Sequence, residues 1–194
     1  MLDKKKINNK NKEHNIEEWT IYHEQLLSNW GDKANCYVWL HDKSHILYKK
    51  RNIYFSIPII ILSAISGTAN YGITSIFPNL VYGNIIIGTI GLIVAIISFI
   101  NNFYRHAELS ESHRISSLSW NKFHRNLTLE LSLQRSERLN VNNLLLFCQN
   151  DMDRLIEQSP VIPECILLLF KKKFLKKLNC ELPTELDNIN PIYV

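Results

Sequence analysis

His41 and His45 stand four residues apart, so on a helix their rings share one face with the spacing of a two-histidine metal pair. No third ligand follows at a matching interval. Hydrogen bonding within a core or at a polar headgroup is the preferred role. His106 and His113 are seven apart with Glu108 and Glu111 between them. Those carboxylates could support proton transfer or simply solvate a helix, and solvation is the simpler reading. Ser119 with His124 lacks an orienting acid at a predictable spacing. GxSxG, HExxH, the phosphate-binding P-loop and GxGxxG are absent. Cys36, Cys148, Cys165 and Cys180 show no CxxC spacing, which argues against a zinc knuckle or a redox pair. No catalytic, cofactor-binding or metal constellation is therefore expected, and no enzyme.

Two patterns point instead to surfaces. Along 84–102, Asn84, Gly88, Gly91, Ala95, Ser98 and Asn102 recur at intervals of three and four, which places them on one helical face. Ser56, Ser63, Gly67 and Asn70 do the same further upstream. Small residues let helices approach closely, and buried polar side chains bond across the contact. Packing within the chain or between copies is the leading reading; an aqueous lumen lined by Asn84, Ser98 and Asn102 is the sharper one. The second pattern is basic. Lys171, Lys172, Lys173, Lys176 and Lys177 interrupt the apolar residues Leu167, Phe170, Phe174, Leu175 and Leu178. They fit either a solvated helix face or an anionic membrane surface, where each lysine contributes about 1 kcal/mol.

What must position these residues is an unusual stretch of chain. From Asn52 to Tyr104 there is no Asp, Glu, Lys, Arg or His, although 21% of the chain is charged. Ile53 to about Gly72 and Leu80 to Phe103 form two apolar blocks, each long enough to cross a hydrocarbon core of about 30 Å. Lys49, Lys50 and Arg51 precede them and Arg105 follows. Basic flanks are retained on the cytoplasmic side, so both arms are expected there, with 70–79 on the far side. Pro58 removes one backbone donor and should bend the first block without defeating it.

No cleavable signal peptide is expected, since the start is Lys- and Asn-rich. This leader lacks the aromatic interleaving of a nucleic-acid arm and is read as disordered. Glu17 to Trp30 reads as a short amphipathic helix with Gly31-Asp32 as its stop. A second helix starts near Lys33, and a long helix follows Arg105. Another covers Val141 to Gln158; Ser159-Pro160 and Pro163 end it before a last helix from Glu164 to Leu178.

Several segments in this order resemble the two-transmembrane effector proteins known as SLATT domains, which accompany nucleotide-generating and nucleotide-sensing components in prokaryotic conflict systems. They are Trp30-Gly31-Asp32-Lys33-Ala34 with Trp39, His41 and Tyr48, the paired apolar blocks, Phe103-Tyr104-Arg105-His106-Ala107 running on to His113, and Asp151 to Pro160 with Ile162-Pro163. The likeness covers about residues 17 to 175. It implies a pore-forming or membrane-perturbing effector.

The expected fold is all-α. It comprises a leader (1–16), N-terminal cytoplasmic helices (17–51), a transmembrane hairpin (52–104, spans about 53–72 and 80–103), C-terminal cytoplasmic helices (105–178) and a tail (179–194). The expected partners are the lipid bilayer and further copies of the chain, with no nucleic acid. The expected function is an oligomer that forms a pore or perturbs a membrane. The alternative is a non-catalytic membrane or virion scaffold that recruits a soluble protein through its cytoplasmic helices.

Overall fold

The computed structural model describes residues 18–76 and 82–174. The leader, most of the turn between the apolar blocks, Lys176, Lys177 and the tail lie outside the described residues. Within them the chain is helical, with no strand: α1 (Ile21–Ile76), α2 (Gly83–Tyr104), α3 (His106–Ser132), α4 (Val141–Gln158) and α5 (Glu164–Phe174).

Helix α1 is 56 residues long, about 84 Å at the α-helical rise. The expected stop at Gly31-Asp32 does not occur. A helix-ending glycine takes a left-handed conformation, and no glycine here has positive φ. Gly31 instead lies against α3. A Cβ there would meet Leu127 Cδ2 at 3.6 Å and His124 Nδ1 at 3.7 Å. The His124 Nδ1–H donates to the Gly31 carbonyl at 3.0 Å. Pro58 likewise sits inside α1 without ending it.

The chain forms two compact units. Of the described residues, one contains 18–38 with Leu118–Gln158; the other contains Trp39–Ser117 and Ser159–Lys173. In the first, α1 contributes Leu27, Ala34 and Tyr37 to a core completed by Trp120, Phe123, Leu127, Val141, Leu144, Cys148 and Leu155. Tyr37 stacks on Trp120 with ring centroids 4.5 Å apart. Burying each such aliphatic side chain contributes about 1.5–3 kcal/mol.

The loop from α3 to α4 is tied down by charge. The Glu24 carboxylate accepts from Arg135 (2.8 Å) and Arg138 (2.5 Å). Hydrogen bonds from Arg135 and then Arg138 hold its carboxyl down at about 2. Arg138 also donates to the carbonyls of Leu131 and Leu133 and lies over the Trp19 ring, 4.9 Å from its centroid. Asn140 then starts α4, its Oδ1 accepting from the backbone N–H of Asn142 at 3.1 Å and of Asn143 at 3.4 Å.

In the second unit α5 buries Ile166, Leu167 and Phe170. Phe170 meets the Trp39 ring edge-on at 5.4 Å. Beyond Asn52 the character of α1 changes. By length and composition, two helical stretches qualify as membrane-crossing, one in α1 and one beginning in α2, and 0% of either apolar window is buried inside the chain. A soluble core helix would bury such a window. Between α2 and α3, Arg105 adopts a left-handed conformation (φ 47°, ψ 40°) and donates its N–H to the Asn102 carbonyl at 3.3 Å. The expected long helix after the second block is therefore a separate element, reset at Arg105.

Asn140→Ala should destabilise the chain by about 1 kcal/mol through loss of the helix cap. Asn142→Ala, which removes an exposed side chain and keeps the capped N–H, should be neutral. Thermal unfolding in detergent, followed by circular dichroism, compares them.

Candidate functional site

The small and polar stripe has an unexpected placement on α2. The positions turned from solvent are Ile87, Ile90, Val94, Ile97, Ser98 and Asn101, all half-buried. Gly88, Gly91, Ala95 and Asn102 are exposed, and the side chain of Asn84 lies outside the described part. On α1, Ser63 and Gly67 are exposed, whereas Ser56 and Ser66 are half-buried. A Cβ added at Gly67, Gly88 or Gly91 would meet nothing within 4 Å. Ser63, Ser66 and Gly67 share a gap of about 320 Å³ with Ile87, Gly91 and Val94. Gly67 and Gly91 therefore border the contact between the two helices without closing it.

Asn101 was missed by the periodicity, because it falls one position off the stripe. It is half-buried, and its Oδ1 is buried without a hydrogen-bond partner.

The basic residues divide into two groups. Lys49, Lys50 and Arg51 are exposed where the apolar part of α1 begins, with the Arg51 guanidinium 5.7 Å from the Tyr48 ring centroid. Arg105 pairs with Glu108 one turn on. Of the α5 lysines, Lys171 is half-buried, and Lys172 and Lys173 are exposed. Lys173 Nζ lies 5.7 Å from the Trp39 ring centroid, and Lys43 lies 5.8 Å from it. Trp39 precedes Ile53 by 14 residues, about 21 Å along α1. Lys49–Arg51 thus adjoin the start of the apolar stretch, and Lys173 lies at Trp39, farther along α1 from it.

Between the cation cluster and Trp39 lies a seam of histidines. His41 from α1 and His113 from α3 are both 0% exposed, and their Nδ1 atoms are 2.9 Å apart. That distance requires one Nδ1 to carry the hydrogen and the other to accept it. One turn further, His45 Nδ1–H donates to the Ser110 carbonyl at 2.9 Å, and the Ser110 hydroxyl donates to the His45 carbonyl at 3.3 Å. Tyr48 stacks on His113 at 5.4 Å and faces His106 at 6.0 Å. His106 is flanked in turn by Phe55 and Tyr104. Buried Ser44 and Ser116 turn their hydroxyls back to the carbonyls of Leu40 and Ser112. His113 Nε2 and His106 Nδ1 are buried without hydrogen-bond partners.

Burial first, and the neighbouring His113 second, press His41 down to about 4; burial and then His45 do the same to His113. His106 is also lowered, by burial and then by the Arg51 charge. His41 and His113 are thus neutral near pH 7. The seam joins α1 to α3 by directional bonds.

The i, i+4 histidines do share a face, but each bonds a different partner, and no group of three or more metal ligands occurs among the described residues. His124 Nδ1 is engaged with the Gly31 carbonyl, and no hydrogen bond joins its ring to Ser119 among the described residues. The His41–His113 contact spans 72 positions, a separation at which spacing carries no signal. Comparison with known proteins returns no matching family model, no similar curated protein and no similar solved structure.

The sign of the pH dependence follows from the lowered values. Unfolding lets both histidines regain an ordinary value near 6.5, so the unfolded chain binds more protons between about 6.5 and 4. The stability contribution is full above pH 6.5 and is lost as the pH falls through about 4. His113→Phe removes the partner of the His41 Nδ1, should cost about 1–3 kcal/mol at pH 8, and should flatten the acid limb. Melting temperatures of wild type and variant from pH 8 to pH 4 measure both effects.

Proposed function

We propose that the chain is a two-span membrane protein, with both termini cytoplasmic, that assembles in several copies to perforate or perturb a membrane. The observation that carries this reading is the exposed face of α2. Gly88, Gly91, Ala95 and Asn102 offer a small and polar strip with open space around both glycines. In hydrocarbon, tight contact between copies or a wetted path would give that strip a partner. Two helices cannot enclose water, so a path requires several chains around a common axis.

The hairpin is supported by the sense of the helix pairing. Ser66 of α1 borders a gap with Gly91 of α2, and Ile57 borders another with Ile97. Rising numbers on one helix thus meet falling numbers on the other. Orientation is supported by Lys49, Lys50, Arg51 and Arg105, which flank the two spans at their cytoplasmic ends. The SLATT resemblance supplies the function of such an assembly. The rival is a membrane scaffold, favoured by apolar side chains exposed outside the spans, Phe147 at 58% and Val161 at 90%.

Gly91→Leu separates assembly from insertion. The added side chain meets no atom of its own chain at the Cβ, so monomer folding and membrane insertion should be retained. Cross-linked oligomers should shrink, and ionic current in a planar bilayer should fall at least tenfold. Wild-type oligomers that insert yet pass no current under any applied potential would leave the scaffold reading.

Topology has its own readout. Asn126-Leu127-Thr128 is a glycosylation sequon placed on the cytoplasmic side by this reading. Expression through a eukaryotic secretory system should leave Asn126 bare, and a glycan there would invert the orientation.

A further inference from the structure

At the cytoplasmic end of the spans, Lys50, Ile53, Tyr54, Ile57 and Pro58 of α1 and Ile97 of α2 line a groove of about 650 Å³. Its size suits one small ligand. Its walls are apolar, and Lys50 is its one cation. Lys50 and Pro58 are eight residues apart, about 12 Å along the helix, so the groove runs from the charged edge into the apolar zone. Pro58 has no N–H to give the Tyr54 carbonyl, which leaves a hydrogen-bond acceptor one turn below Lys50.

The charges beside this groove have no carboxylate partner among the described residues. Lys49, Lys50 and Arg51 are exposed, and among the described residues none of them has an ion pair. Arg105, Arg114, Arg135, Arg138 and Arg154 each have a carboxylate partner. A second copy docked by the same face would bring three more cations against these three. An anion with a long apolar tail is complementary along the full length of the groove.

We infer that this groove binds an acidic phospholipid of the cytoplasmic leaflet, with its phosphate at Lys50 and the upper part of one acyl chain against Ile57, Pro58 and Ile97. This rests on the two-span reading. The Tyr54 carbonyl accepts a hydrogen bond from a headgroup hydroxyl or from a water at the phosphate. Lys49 and Arg51 add attraction at the rim.

The test uses the full chain. Carbonate extraction of vesicles comes first: release of the chain into the soluble fraction would overturn the two-span reading. Protein that stays in the membrane is purified in detergent, equilibrated with equal phosphatidylglycerol and phosphatidylcholine of the same acyl chains, and weighed by native mass spectrometry. Wild type should retain about fivefold more of the acidic lipid. Lys50→Gln should bring the ratio toward one while keeping the retained phosphatidylcholine constant. Ile97→Trp fills the groove and should lower retention of both lipids, while Lys172→Gln on α5, next to a Lys173 that lies at Trp39, about 16 Å from Lys50 along α1, should leave the ratio as in wild type. Equal retention by wild type, or an unchanged ratio in Lys50→Gln, would overturn the lipid site and leave the two-span reading in place. An Ile97→Trp variant that changes oligomer size without changing lipid retention would show a second copy in the groove, which also overturns the proposal.

Discussion

A helix satisfies its own backbone, and that single constraint lets α1 pass between two kinds of surroundings without interruption. Up to Asn52 its outward positions carry Lys, Asp and Glu, and its inward ones are buried. Beyond Asn52 no charge remains, and the apolar side chains face outward. Nothing in the backbone changes at that border. Only the solvent that each half requires is different, since hydrogen bonds made within the helix need no water. Every other element is arranged against this one axis within its own unit.

Side chains supply the direction that the backbone lacks. In the unit containing the apolar helices, α3 is matched to α1 through rings and hydroxyls, where leucines would serve for adhesion alone. Leucine contacts tolerate sliding by a turn; the paired Nδ1 atoms of His41 and His113, and the reciprocal bonds of His45 and Ser110, do not. These bonds fix which face of α1 continues toward the apolar zone. Lowered histidine basicity accompanies that fit: burial disfavours the charged rings first, and protonating the accepting Nδ1 would also set two N–H donors against each other.

Local chemistry made much of this legible. Val141–Gln158 lies between Asn140, a cap, and Ser159-Pro160, a stop, and both signals act through neighbouring residues alone. The two apolar blocks declare themselves by what they lack. Gly31-Asp32 misled because glycine ends a helix only when the backbone turns left-handed, and here α3 holds it helical through His124. The reverse happened at Arg105, a residue with no turn signature that adopts the left-handed form. The histidines were visible as types and intervals, but the match of His41 to His113 depends on how α1 and α3 lie side by side. The stripe on α2 was readable as a face; which way that face points was not, because Ile, Val and Gly are all compatible with lipid.

The left-handed residue at Arg105 gives the two routes into the apolar zone unequal tolerance to change in length. Along α1, one residue inserted between His45 and Phe55 would rotate everything after it by about 100° and shift it by about 1.5 Å relative to the histidines. Along α2, the same insertion before Asn102 is followed by a junction where helical phase starts afresh, so His106, Ser110 and His113 can keep their register. Over evolutionary time α1 should hold its spacing while the α2 boundary drifts. The bend thus acts as a phase absorber, letting α2 change in length while α1 stays in register.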